Sequence, residues 1–293
     1  RPLTYKMEIA AFLRRDPELH VYSLGDLDDF FWPYTTWYGW EEDGEMKDVL
    51  LIYCGRETPT VVGISQQPSM MCKLLAEVVK GLPGQFYAHL SPGVEEVLAD
   101  GHTVQSHGLH YKMALRDKSL VRDVDCSQTV RLGKRDVAEL FQLYLYSYPA
   151  NWFDARMLET GQYFGLRKDG RLFSAAGVHV YSQEYGVAAL GNIVTRPEYR
   201  HQGYATQVTA RLCQSVLEEV QRSDFSPLPG PLDQATLRQR LGDAPVPRRL
   251  SEEDGLWRNL GRKTARTDDL DFGRALTHEG RTRQPIVTMA DRV

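Results

Sequence analysis

Cysteine is scarce in this 293-residue chain: Cys54, Cys72, Cys126 and Cys213 are scattered, with no CxxC pair and no histidine ligands close by. That spacing supports neither a disulfide framework nor a zinc site, and it fits a reduced, cytoplasmic compartment. Long apolar runs are missing as well. No stretch approaches the roughly 18 to 20 residues that a membrane-spanning helix needs, so no membrane partner is expected. Positive charge is not in excess, since 35 Lys and Arg stand against 39 Asp and Glu for a net charge of −4. A dedicated nucleic-acid binder would carry a basic face, so no nucleic acid is expected either. The start, Arg1-Pro2-Leu3-Thr4-Tyr5-Lys6, has no apolar core behind it, so no signal peptide is expected; without an initiator Met it reads as a fragment. His107 and His110 lie three apart in an expected strand, pointing to opposite faces, so no shared metal is expected.

What is present is an ordinary soluble composition, 42% apolar and 25% charged, in a chain long enough for two compact domains. Residues 1–118 read as mixed α/β. Helices are expected over 5–15 and after Asp16-Pro17, then strands at 49–54 and 60–64. A helix from Pro68 carries Met71, Leu74, Leu75, Val78 and Val79 on helical spacing, and strand, helix and strand follow at 85–90, 93–99 and 107–115. Residues 119–221 repeat that order more clearly. A strand at 129–132 precedes a helix from Asp136, with Val137, Leu140, Phe141 and Tyr144 on one stripe, and a second short helix begins at Met157-Leu158. Strands at 163–167 and 172–181 flank the turn Lys168-Asp169-Gly170, and a third strand runs over 187–194. Residues 222–293 break the pattern. All 15 tyrosines precede this segment, which is rich in Arg, Pro, Asp and Gly and does not read as a packed core.

One stretch carries chemistry. From Asn192 an apolar strand ends, Pro197 stiffens the exit, and a donor-rich loop enters a helix whose Ala205, Val208, Leu212 and Val216 share a face, with Cys213, Leu217 and Val220 beside them. The first turn of a helix leaves backbone N–H groups unpaired at the positive end of its dipole, which suits a pyrophosphate. Gly203 permits positive φ and close approach, Ala205 keeps the helix start small, and Arg200 and His201 add positive character. A P-loop fits less well because no Gly-Lys-Ser/Thr follows, and a dinucleotide fingerprint less well because the GxGxxG spacing is absent. Arg-x-x-Gly-x-Ala is a short pattern, and an ordinary strand-to-helix loop with exposed charges is its competing reading.

Arg200-His201-Gln202-Gly203-Tyr204-Ala205 resembles the Gln/Arg-x-x-Gly-x-Gly/Ala motif of the GNAT superfamily of N-acetyltransferases, over about residues 120–221. The resemblance implies a tandem GNAT-like α/β fold with mixed central sheets flanked by helices. The first half would then be a degenerate unit, because its junction at 61–68 lacks the Arg and Gly. It implies acetyl-CoA as acyl donor and an amine-bearing acceptor as partners, with no metal. Backbone N–H groups from Gln202 to Thr206 would hold the pyrophosphate, and Ile193, Val194 and Thr195 would pair with the pantetheine arm. A non-catalytic acyl-CoA-binding module and a protein-interaction domain using the Arg-rich tail remain as alternatives.

Acyl transfer to an amine needs a neutral amine, a stabilised oxyanion and a protonated thiolate. The N–H of Val194 or Thr195 is the candidate for the oxyanion. The strand carries no Asp or Glu, so the carboxylate common in the family has no counterpart, and Asn192 is its only polar side chain before Thr195. His179 and Tyr181 are expected to share a sheet face by alternation, with His179 the better base; a structural, hydrogen-bonded His179 is the competing reading. Trp152 and Phe153 lie where GNAT proteins shape the acceptor pocket, and the competing reading is core. Family domains continue with a strand, an Asn-x-x-Ala helix bearing a Tyr, and a last strand, none of which 222–293 contains. Shifted by one base, codons for Leu237–Val246 can spell that helix, so an out-of-frame tail is a competing reading that the coding DNA decides.

Overall fold

A computed structural model describes residues 1–99, 101–106, 113–149, 151–222 and 287–289. His107 and His110, the frame question at 237–246 and nearly all of the tail lie outside these residues. In chain order the first elements are β1 (Pro2–Leu3), α1 (Lys6–Leu13), α2 (Val21–Gly25), β2 (Thr35–Glu42), β3 (Glu45–Tyr53), β4 (Thr60–Gly63), α3 (Pro68–Val78) and β5 (Tyr87–Leu90). They are followed by β6 (Met113–Ala114), α4 (Ser119–Arg122), β7 (Val130–Arg131), α5 (Val137–Ser147), β8 (Phe164–Lys168), β9 (Arg171–Ser182), β10 (Val187–Thr195), α6 (Tyr204–Arg222) and β11 (Val287–Met289). Among the described residues no helix is long and apolar enough to cross a membrane.

The chain divides into two compact units. The first takes Arg1–Arg15 and Tyr34–Gln105. Its sheet runs β1-β2-β3-β4-β5, antiparallel except for the β4–β5 pair. β2 and β3 join through Asp43-Gly44, both at positive φ, a two-residue hairpin turn of the kind that matches strand twist. Proline at the start of α3 suits its first turn, and the apolar stripe sets Met71, Leu74, Leu75 and Val78 against Leu50, Ile52 and Val61.

The second unit takes Asp16–Pro33 together with the described part of Ser106–Pro227 and β11. Its sheet order is β6-β11-β10-β9-β8-β7, with β10 and β11 parallel. The β8–β9 turn places Asp169 and Gly170 at φ 50° and 76°. Two helices cover opposite faces. Arg211 of α6 lies over the ring of Phe164, whose partner across the ladder is Ala176. The next residue, Gly177, faces the other way, and a Cβ there would meet the Tyr163 ring at 2.1 Å. Tyr163 packs on Phe153, which packs on Tyr144 of α5, so α5 covers the face opposite α6. α2 packs on β9 and β10, where a Cβ on Gly25 would lie 2.8 Å from Cβ of Val180.

Candidate functional site

The strand, loop and helix expected from the sequence form as β10, a single 3₁₀ turn at Pro197–Tyr199, and α6. β10 pairs with β11 only at Ala188, Ala189 and Leu190, so among the described residues no strand covers that edge of β10 from Gly191 to Thr195. Ile193 is half-buried and Val194 and Thr195 are buried, which leaves the strand end as a backbone edge rather than a side-chain surface.

The loop is fastened by Arg200. Its Nε donates to the Thr195 carbonyl at 3.1 Å, and Nη2 reaches the Ser147 carbonyl at the end of α5 at 3.4 Å. The side chain expected to face an anion therefore also ties the strand end to a helix end. His201 at φ 60° and Gly203 at φ 81° turn the chain so that successive N–H groups face one side. The first loop-to-helix bond is Gln207 N–H to the Gly203 carbonyl at 3.1 Å, and among the described residues no acceptor meets the N–H groups of Gln202 to Thr206. A Ser, Thr, Asp or Asn at the cap position would have consumed one of them, and Gly203 brings no side chain. These groups open on a cavity of about 310 Å³ lined by Thr195, Tyr199, Arg200, His201, Gly203, Tyr204, Ala205 and Thr206. Behind the loop, the Phe173 ring packs at a tilt on Tyr199 and edge-on against Tyr204, with ring centroids 4.7 and 4.8 Å apart. A Cβ on Gly203 would meet no atom within 4 Å, so it would project into this open space. Ala205 is exposed here and does not join the buried stripe of Val208, Leu212, Cys213 and Val216, because the first turn of α6 overhangs the cavity and not the sheet.

Asn192 is the least ordinary residue of β10. It is 2% exposed with φ 55°, at a break in ladder register between Gly191 and Val194. A positive φ in a buried non-glycine residue is held by its surroundings. Tyr144 donates to the Asn192 carbonyl at 2.9 Å, Asn192 Nδ2 donates to the Tyr163 hydroxyl at 3.1 Å, and that hydroxyl donates to the Val178 carbonyl at 3.1 Å. Burial holds both phenols protonated, with their pKa values raised. Asn192 Oδ1 is buried, and among the described residues no donor meets it.

His179 and Tyr181 do not share a face, contrary to the alternation expected from sequence. The register jumps between Val178 and Val180, leaving His179 as an extra residue in the ladder. A Cβ on Gly191 would lie 2.0 Å from the His179 ring, and Gly191 pairs with Gly177 on the α5 face. The Tyr181 hydroxyl instead donates to Glu219 of α6 at 2.5 Å, and burial and that carboxylate both raise its pKa. The α5 face thus carries His179 and Asn192, with Tyr22 of α2 beside His179 at 6.3 Å between ring centroids. Phe153 is buried among Phe141, Tyr144 and Tyr163, while Trp152 is half-buried. All four cysteines are free thiols, and burial pushes the Cys213 thiol up to about 12.

Residues 130–223 match the family model described as the acetyltransferase (GNAT) family. Among solved structures, a Drosophila protein aligns over 74% of this chain and 85% of its own at 12% identity, with a TM-score of 0.52, and shares the fold. A GNAT-family acetyltransferase from Colwellia psychrerythraea aligns over 75% of this chain and 86% of its own at 11% identity, with a TM-score of 0.41. A GNAT-family protein from Novosphingobium aromaticivorans is 28% identical over 37% of this chain, with a TM-score of 0.33; the match spans 47% of that protein, less than half its length. No curated protein matches the chain. The likeness to the acetyltransferase (GNAT) family is confined to residues 130–223, about a third of the chain.

Proposed function

We propose that the chain transfers an acetyl group from acetyl-CoA to an amine by direct attack. The observation that carries this reading is the unbroken run of N–H groups from Gln202 to Thr206, unpaired among the described residues, over an open cavity at the helix end where an anion is favoured. The residues present fit a diphosphate: a glycine whose missing side chain leaves room, a cation at Arg200, and no capping side chain in competition. The uncovered edge of β10 at Ile193, Val194 and Thr195 suits an amide-bearing arm such as pantetheine. When bound, acetyl-CoA supplies an activated thioester; what the chain supplies is position and proton handling.

In this reading the N–H of Val194 or Thr195 faces the thioester oxygen as charge develops there. His179 takes a proton from the amine, Asn192 Oδ1 accepts a hydrogen bond that orients it, and as the C–N bond forms the C–S bond breaks, the departing thiolate taking a proton from solvent. Trp152 bounds the acceptor, while Phe153 supports Tyr144 and Tyr163 from behind. Tyr181 is tied to Glu219 on the far face and is left with a structural part. The second reading is an acyl-CoA-binding module without turnover, favoured by the absence of any Asp or Glu on β10. Release of free thiol from acetyl-CoA across a panel of primary amines separates the two. Amine-dependent release supports transfer; binding of acetyl-CoA with no release above the amine-free rate supports the module.

A further inference from the structure

Asp26 ends α2 with helical backbone, and its N–H bonds to the Tyr22 carbonyl at 2.9 Å, so these side chains stand one turn apart on one helix face. That face is turned to the sheet, as the Gly25–Val180 approach and the Tyr22–His179 ring contact show. Asp26 is 6% exposed, and among the described residues its carboxylate meets no hydrogen-bond donor or cation. Its neighbour Asp28 is already engaged, accepting from the Ser182 hydroxyl at 2.7 Å and the Phe30 N–H at 3.0 Å. On the same side of the sheet, Asn192 Oδ1 is a buried acceptor that meets no donor among the described residues. Two such groups on one face are costly to a fold and complementary to a ligand that brings donors and positive charge.

We propose that the acceptor is an aliphatic amine cation and that Asp26 is the counter-ion that draws it onto the sheet face beside His179 and Asn192. This rests on the acyl-transfer reading above. Asp26 makes and breaks no bond; it selects which amines enter. Its carboxyl is pushed up to about 8 by burial alone, and an ammonium group beside it favours the charged form again.

The test uses the full chain, the isosteric variant Asp26→Asn, and two acceptors of similar build: benzylamine, charged at neutral pH, and aniline, neutral there. Thermal melting and acetyl-CoA titration control for folding, and Asp26→Ser serves as the second variant should the first not melt cooperatively. The expected result is a rise in KM for benzylamine of at least about tenfold, the loss of one charge-assisted contact, with aniline turnover and acetyl-CoA affinity unchanged. Equal losses on both amines, or no loss on benzylamine, overturn the role of Asp26 and leave acyl transfer standing. If the unaltered chain binds acetyl-CoA but acetylates neither amine, the transfer reading falls and this inference with it.

Discussion

Gly203→Ala separates a ligand-holding loop from an ordinary strand-to-helix connection. Alanine at φ 81° adopts the left-handed region at a cost of about 1–2 kcal/mol. No atom lies within 4 Å of the added Cβ, so no clash adds to that cost, and the fold should survive with a modest fall in melting temperature. The same Cβ stands in the cavity over which the N–H groups of Gln202 to Thr206 open. It should push a diphosphate out of reach of at least one of them, a charge-assisted bond of about 1.5–3 kcal/mol, or about tenfold or more in Kd. Gly170→Ala is the matched control: its φ of 76° exacts the same backbone cost, its Cβ also meets nothing within 4 Å, and it sits in the β8–β9 turn, outside the residues that line the cavity. Both variants should melt alike, and only Gly203→Ala should lose acetyl-CoA in calorimetric titration. Equal affinity in the two would refute the reasoning, because the missing side chain at Gly203 would then serve the backbone alone.

Three further outcomes follow from the same geometry. Arg200→Lys keeps the charge but not the fork that spans the Thr195 and Ser147 carbonyls, so acetyl-CoA affinity should fall about fivefold, at about 1 kcal/mol for a lost bond; unchanged titration would make Arg200 a charge only. Gly191→Ala drives a methyl into the His179 ring, an overpacking of about 1–3 kcal/mol, and should lower the melting temperature and the transfer rate while acetyl-CoA still binds. Asp26→Asn should stabilise the chain in a pH-dependent way. Burial raises the folded pKa of Asp26 from 3.8 to about 8, so wild-type stability is whole below about pH 4 and declines as the pH climbs to 8. The variant escapes that decline, so its gain in stability, followed by thermal melting, should grow across this window by about 1.4 kcal/mol per pH unit, to about 6 kcal/mol at its top; a gain independent of pH would contradict it.

Where periodicity and turn chemistry agree, the sequence told most of the second unit. The stripe of α5, the Asp-Gly turn between β8 and β9, and the run from β10 through a proline to α6 all fall within a residue or two of expectation. The hairpin of β2 and β3 turns at Asp43-Gly44, while the strands expected from the sequence begin only at residue 49, so β2 is a strand that periodicity does not announce. Residues 16–33 group with the second unit, which no local pattern announces, since only packing on β9 and β10 decides it. At the site, the loop glycine and the helix start carry their chemistry in residue type. Asn192 and His179 do not: their roles depend on two breaks in ladder register, and a period of two cannot foresee an extra residue. Asp26 was hidden for the same reason, because an Asp in a polar stretch reads as solvated until its burial is seen.

The most direct measurement of the central claim is a calorimetric titration of acetyl-CoA into the full chain, with NADH as the control. Binding of acetyl-CoA in the micromolar range, with NADH giving no heat above dilution, is the predicted result. Equal binding of both, or no binding of acetyl-CoA up to millimolar concentration, would contradict the assignment of the Arg200–Thr206 loop to an acyl-CoA diphosphate.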